Sequence, residues 1–156
     1  MQKITPFLWF DNNAEEAVNF YTSIFKDSAV GKISRYSGEG AKASGQEEGT
    51  AMTIPFSLNG QDFLALNGGP IFKFTEAVSF VVSCENQEEV DHFWNKLTEG
   101  GQEVQCGWLK DKYGLSWQVV PKQMGQLMTG PKAGKVMQAM LQMKKIDIKK
   151  FEEAAE

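Results

Sequence analysis

Apolar positions fall along this chain in two short blocks that share one layout. Ile4–Phe10 and Ala77–Ser83 are runs rich in β-branched and aromatic residues, the composition that strands favour. Each run is followed by a segment with helical spacing. In the first segment Ala14, Ala17, Val18, Tyr21, Ile24 and Phe25 recur at i, i+3, i+4 and i+7; in the second Val90, Phe93, Trp94 and Leu97 do. The helix starts share one signature. Asn13-Ala14-Glu15-Glu16-Ala17-Val18-Asn19-Phe20-Tyr21 matches Asn86-Gln87-Glu88-Glu89-Val90-Asp91-His92-Phe93-Trp94 at an offset of 73, and Phe7 falls on Phe80 at that same offset. Asn13 and Asn86 read as helix caps, with Glu16 and Glu89 three residues on as capping-box partners. The doubled carboxylates Glu15-Glu16 and Glu88-Glu89 are read as helix-start charges on a solvated face rather than acid–base pairs. Gly100-Gly101 ends the second helix.

More strands follow each helix: Ala29–Tyr36, Thr50–Leu58 and Phe63–Leu66 in the first half, Glu103–Leu109 and Leu115–Val120 in the second. Asn59-Gly60 is a tight hairpin turn, and Asp111-Lys112-Tyr113-Gly114 joins the last two strands. Each half approximates β-α-β-β-β, the second compressed, and together they read as an internal duplication. The stretch 38–49 is a mobile loop by composition, a solvated tip, a lid or a dimer arm. Lys132–Lys145 has an amphipathic pattern with Val136, Met137, Met140, Leu141 and Met143, and Ile148–Ala155 adds a second helix. This tail covers either the chain's own sheet or a second copy. The predicted class is α+β: residues 1–130 form the duplicated domain (halves 1–68 and 77–121), and 131–156 the helical tail.

Composition narrows the function. The 156 residues carry a net charge of −4, and Arg35 is the one arginine among 16 basic residues. That disfavours nucleic acid and polyanionic substrates, which need clustered cations. No run is long or apolar enough to span a membrane, and no leader pattern is visible, so a cytoplasmic protein is expected. Cys84 and Cys106 make neither a disulfide framework nor, without nearby histidines, a zinc site.

Paired β-α-β-β-β modules resemble the vicinal oxygen chelate superfamily of glyoxalases, extradiol dioxygenases, and fosfomycin and bleomycin resistance proteins. More narrowly, the chain is similar to the PhnB-like branch, often labelled demethylubiquinone methyltransferase-like. The stretches that carry this are 4–10, 13–25, Ala65-Leu66-Asn67-Gly68-Gly69-Pro70, 106–118 and 136–148, of which 106–118 is the most specific. The resemblance implies curved mixed sheets around a cavity between the halves, a small-molecule ligand and a homodimer. It also implies four inward positions where metal-dependent members place His, Gln or Glu. These fall on Thr5 or Pro6, near Leu66 or Asn67, within Ala77–Ser79, and on Gln118. None carries an imidazole or a carboxylate, which a divalent metal needs, so no metal or other cofactor is expected. Glu76 is the carboxylate nearest the third position, and His92, the one histidine, lies on the second helix.

The methyltransferase label has no support in the residues. Neither glycine-rich stretch, 38–49 or Asn67-Gly68-Gly69-Pro70, follows a strand and opens a helix with the needed spacing, and strands and helices do not alternate as in a parallel nucleotide-binding sheet. Cys106 is the candidate nucleophile, placed on a strand with Lys110 on the same face, but no base is within reach in the sequence. The candidate ligand contacts are Thr5, Phe7, Asn67, Ser79, Trp108 and Gln118. Alternation puts Ser116 and Val120 on the Gln118 face and turns Trp117 and Val119 toward the helices. The expected function is metal-free binding of a small, partly aromatic or apolar ligand. The alternative is a lyase, isomerase or dioxygenase-type enzyme with an atypical site.

Overall fold

The computed structural model describes residues 2–156. It contains two compact units, the first running to Lys73 and the second from Phe74 to Glu156.

The first unit holds β1 (Phe7–Phe10), α1 (Ala14–Ile24), β2 (Ala29–Val30), β3 (Ser34–Arg35), α2 (Gly38–Ser44), β4 (Ala51–Leu58) and β5 (Gln61–Asn67). Its sheet runs β1-β5-β4-β2, with β3 also on β4. β1 pairs parallel with β5, while β2, β3 and β5 pair antiparallel with β4. Leu8, Phe10, Ile54, Phe56, Phe63 and Ala65 are buried with Ala17, Val18 and Tyr21 of α1. Burying one such side chain contributes roughly 1.5–3 kcal/mol. The Asn59-Gly60 turn has positive φ at both residues (49° and 83°), the backbone that lets a two-residue hairpin follow the strand twist.

The second unit holds β6 (Ser79–Cys84), α3 (Gln87–Leu97), β7 (Gln102–Glu103), β8 (Trp108–Lys110), β9 (Ser116–Pro121), α4 (Met124–Thr129), α5 (Ala133–Met140) and α6 (Ile148–Ala154). Its sheet order, β6-β9-β8-β7, repeats that of the first unit: the opening strand again pairs parallel with the closing one, and the other pairs are antiparallel. Val82, Cys84, Leu109, Trp117 and Val119 are buried, as are Val90, Trp94 and Leu97 of α3.

Several expectations need correction. The stretch 38–49 is largely helical. Ser37 is extended, Ala41 is buried, and Gly45 closes α2 in the left-handed region, so one buried alanine and a glycine stop outweigh the loop-like composition. The segment 29–36 is two short strands, not one. Between them the Gly31 N–H donates to the Pro55 carbonyl, but Pro55 has no backbone N–H to donate in return, so the ladder breaks there. Phe7 does not correspond to Phe80. Three residues link β1 to α1 and two link β6 to α3, so helices align at an offset of 73 and strands at 74. Phe7 therefore matches Val81; both are exposed on the sheet face away from the helix (52% and 57%), whereas Phe80 lies against Trp117.

Asn13 makes no side-chain cap. The α1 start is capped across the sheet, where Asn67 Oδ1 accepts from the Ala14 N–H (2.9 Å). Asn86 does cap α3, accepting from the Glu89 N–H, and the Glu89 carboxylate accepts from the Glu85 N–H.

The tail helix is shorter than 132–145, and α4 was not anticipated from the pattern. The tail packs on its own unit. Val136, Met143, Ile146 and Phe151 are buried, and the Cys106 and Gly107 N–H groups donate to the Met143 and Lys144 carbonyls. The Gln87 side chain donates to the Ile146 carbonyl and accepts from the Ile148 N–H, stapling the tail to the start of α3.

Candidate functional site

The residues singled out by sequence are best followed along β9, the central strand of the second sheet. Strand pairing sets three cross-strand rows on the face away from α3: Ser79–Ser116–Lys110, Val81–Gln118–Trp108, and Ser83–Val120. Ser79, Trp108 and Gln118, three of the candidate ligand contacts, lie on this face. Gln118 Nε2 donates to Ser79 Oγ at 3.0 Å. Trp108 lies beside Gln118, half-buried. Lys110 forms an ion pair with Glu76, in the segment leading to β6. That hydrogen-bonded contact holds the Glu76 carboxyl below its usual pKa. Ser116 is fully buried, and its Oγ has no hydrogen-bond partner.

In the first unit the corresponding face carries Phe7, Leu64 and Pro55 in one row and Trp9, Leu66 and Thr53 in the next. Trp9 stands edge-on to Phe72 and donates to the Gly69 carbonyl. A Cβ on Gly68 would fall 2.3 Å from the Trp9 ring, so only glycine lets the chain pass there. Thr5, just before β1, is half-buried within reach of Gln2 Nε2 (3.5 Å).

Asn67 does not reach this face. Its position is one residue from that of Leu66, and the strand period turns it inward, where it is 3% exposed. Both ends of its amide are used: Oδ1 on the Ala14 N–H, and Nδ2 on the Ala51 carbonyl. The Tyr36 hydroxyl also donates to its backbone carbonyl. Asn67 is thus a structural brace rather than a ligand contact.

Cys106 also departs from expectation. It lies in the turn before β8, with φ of 62°, so strand alternation does not bring Lys110 beside it. Lys110 is engaged by Glu76 instead. Cys84 is inert: burial, then the Glu89 charge, pushes its thiol to about 12. His92 sits exposed on α3 with its ring against Phe93.

Sequence reasoning missed Asp111. Its carboxylate, 3% exposed, accepts from the Tyr113 and Leu115 N–H groups and from Trp117 Nε1. An aspartate three residues before Gly114 is the signal that could have found it, as an Asx turn. A cleft of about 500 Å³ lies elsewhere in the second unit, lined by Gln87, Asp91, Lys145, Ile146 and Lys150 among others, and none of the expected ligand contacts lines it.

A divalent metal, which the superfamily resemblance raises, does not fit this donor set. Ser79 and Gln118 offer neutral oxygens, Leu66 offers none, Asn67 faces inward, and Glu76 is neutralised by Lys110. Among the described residues no three His, Cys, Asp or Glu side chains gather. Nor, among them, is any helix long and apolar enough to cross a membrane.

Comparison with known proteins agrees with this architecture. A family model described as 3-demethylubiquinone-9 3-methyltransferase matches residues 2–120. The PhnB protein from Bacillus cereus is 42% identical, with a TM-score of 0.67 over 76% of this chain and 99% of that one. Two more distant structures share the fold. PA1353 from Pseudomonas aeruginosa has 19% identity and a TM-score of 0.63, covering 78% of this chain and 98% of its own. The fosfomycin resistance protein FosX from Listeria monocytogenes has 14% identity and a TM-score of 0.57, covering 83% and 98%. No curated protein matches the chain. With two β-α-β-β-β units in the same strand order and a family match that reaches from the first through β9 of the second, the chain belongs to the 3-demethylubiquinone-9 3-methyltransferase family, as a PhnB-like protein that shares its fold with FosX.

Proposed function

We propose that this protein is a metal-free binder of a small planar ligand, held on the β9 face of the second unit. The observation that carries this reading is the row Val81–Gln118–Trp108. It presents an exposed apolar contact, an amide and a half-buried indole side by side, while the opposite face of the same strands is filled by α3. An apolar floor with a few convergent polar groups is what small-molecule sites share. The indole supplies stacking area; the amide, steadied by Ser79, supplies orientation.

The family's descriptive name implies S-adenosylmethionine, and the residues do not fit it. The junctions Asp11-Asn12-Asn13, Glu85-Asn86 and Lys122-Gln123 carry no glycine, and the one that does, at Gly38-Glu39-Gly40, follows a two-residue antiparallel strand and opens a seven-residue helix rather than a parallel strand-helix-strand unit. The sheets are mixed rather than doubly wound. No methyl-transfer step is derived from them.

The reading includes a cytoplasmic homodimer. β1 and β6 are sheet edges carrying the exposed Phe7 and Val81, with the exposed Val78 just before β6, a combination that favours cover by a second copy. Light scattering at the mass of one 17.4 kDa chain would remove that part.

The binding reading is tested by thermal shift against a panel of small planar aromatics, with metal analysis of the purified protein. Saturable stabilisation by panel members, lost in Trp108→Ala, with metal well below one per chain, is the expected result. One tightly bound transition metal per chain, or micromolar heat of binding with S-adenosylmethionine, would overturn it.

A further inference from the structure

We infer that Ser116 and Lys110 form an anion-accepting subsite, so that the ligand is an aromatic carboxylate whose carboxyl group takes the place of Glu76. This rests on the β9-face reading above and names the ligand's class.

Strand pairing supplies the geometry. Ser79, Ser116 and Lys110 form one row across β6, β9 and β8, with Ser116 in the middle. Glu76 lies three residues before Ser79, on the far side of β9 from Lys110, yet the two are paired. The Lys110 side chain therefore reaches across β9 at the row of Ser116. This accounts for Ser116 being fully buried while Val81, on the same face one row along, is 57% exposed.

The chemistry follows from what this arrangement leaves unsatisfied. The Ser116 hydroxyl has no hydrogen-bond partner. The neighbouring Ser79 hydroxyl already accepts from Gln118. A buried hydroxyl without a partner is costly, and native proteins rarely keep one. A group entering here meets a hydroxyl donor below and an ammonium above. A carboxylate suits both, because it accepts only and has two oxygens to divide between them. A second cation would be repelled by Lys110.

Glu76 is the natural competitor. Its side chain is 57% exposed and its pair with Lys110 faces solvent, so salt and water screen it and exchange is easy. Trp108, one row along on β8, is placed to receive the ring attached to the incoming carboxylate.

The test uses benzoate and its neutral isostere benzamide as probes. They are titrated at constant ionic strength into the full-length ¹⁵N-labelled protein while the Trp108 indole and Gln118 side-chain signals are followed. Benzoate is expected to move both signals and to bind more tightly than benzamide. Glu76→Gln removes the competitor and tightens benzoate by up to about fivefold, with benzamide unchanged. Lys110→Met weakens benzoate by about tenfold. Ser116→Ala weakens benzoate but raises the melting temperature of the free protein by about 2–4 °C, because an unpartnered hydroxyl has gone.

If benzamide binds as well as benzoate, or if Glu76→Gln fails to tighten benzoate, the carboxylate subsite is wrong while the small-molecule reading of this face stands. If neither probe moves the Trp108 and Gln118 signals, both fall.

Discussion

The two units have the same strand order and the same 11-residue helix after the first strand, and their sheets differ most on the face away from that helix. Toward the helix the positions correspond in kind. Leu8 and Phe10 match Val82 and Cys84, and Tyr21 matches Trp94, all buried. Away from the helix they diverge. Phe7–Leu64–Pro55 is apolar throughout, whereas Val81–Gln118–Trp108 has an amide at its centre, with Ser116 and the Lys110–Glu76 pair in the adjoining row. Packing against a helix constrains volume and polarity at each site, because cores tolerate neither cavities nor unpaired polar groups. The other face is free of that demand, and chemistry accumulates there. The first unit keeps a polar row at Asp62–Ser57, equivalent to Ser116–Lys110, so the contrast between the halves lies in the row where Leu64 and Pro55 stand against Gln118 and Trp108.

The largest effects should test whether the helix-facing positions are equivalent. Tyr21→Ala and Trp94→Ala each remove a fully buried ring and should each cost about 3–5 kcal/mol in urea denaturation. A cost below about 1 kcal/mol at either position would break the correspondence between the halves.

Next come the turns that differ. The first unit joins its last two strands with Asn59-Gly60, the second with the longer Asp111–Leu115 segment built around a buried carboxylate. Asp111→Ala strips three hydrogen bonds and should cost about 3 kcal/mol. Asn59→Ala adds only left-handed strain and should cost about 1 kcal/mol. Equal losses would mean that the Asp111 network adds nothing beyond turn formation.

The helix caps sharpen the comparison further. Asn67→Ala leaves the Ala14 N–H and Ala51 carbonyl unpaired inside the fold and should cost about 2 kcal/mol. Asn86→Ala opens a cap that water can replace and should cost about 1 kcal/mol. If the order reversed, the bracing role assigned to Asn67 would be lost.

These contrasts show how far the sequence could be read. Most strands and both main helices follow from period-2 and period-3.6 patterns, which are local, although 103–109, read as one strand, is β7 ending at Glu103, a turn, and β8 from Trp108. The inward turn of Asn67 was not legible, because it and Leu66 differ by one residue and strand parity decides the face. The same parity error paired Phe7 with Phe80, since the motif aligned the helices and the linkers differ by one residue. The α2 helix was hidden by glycine and serine content, although Ala41 packs inward and Gly45 supplies a regular stop. The Glu76–Lys110 pair and the unpartnered Ser116 hydroxyl depend on strands brought together by the fold, and no local pattern signals such contacts.

The effect that is smallest at neutral pH concerns one position where the helix-facing sides differ in chemistry: Phe10 in the first unit, Cys84 in the second. Burial and the nearby Glu89 charge raise the folded thiol to about 12, against about 8.5 for an unfolded cysteine. The neutral thiol is the form that folding favours. Its contribution is therefore complete below the unfolded value and is lost as pH rises from about 8.5 toward 12. The second unit should lose stability through this alkaline window in a way that Cys84→Ala does not, once each is compared with its own neutral-pH value. Thiol labelling offers a direct check near pH 8. Cys106, partly exposed in its turn, should react in the folded protein, and Cys84 only after unfolding. Rapid native labelling of both would show that the core beneath α3 is open to reagent, and the correspondence of Phe10 with Cys84 as packed positions would fail.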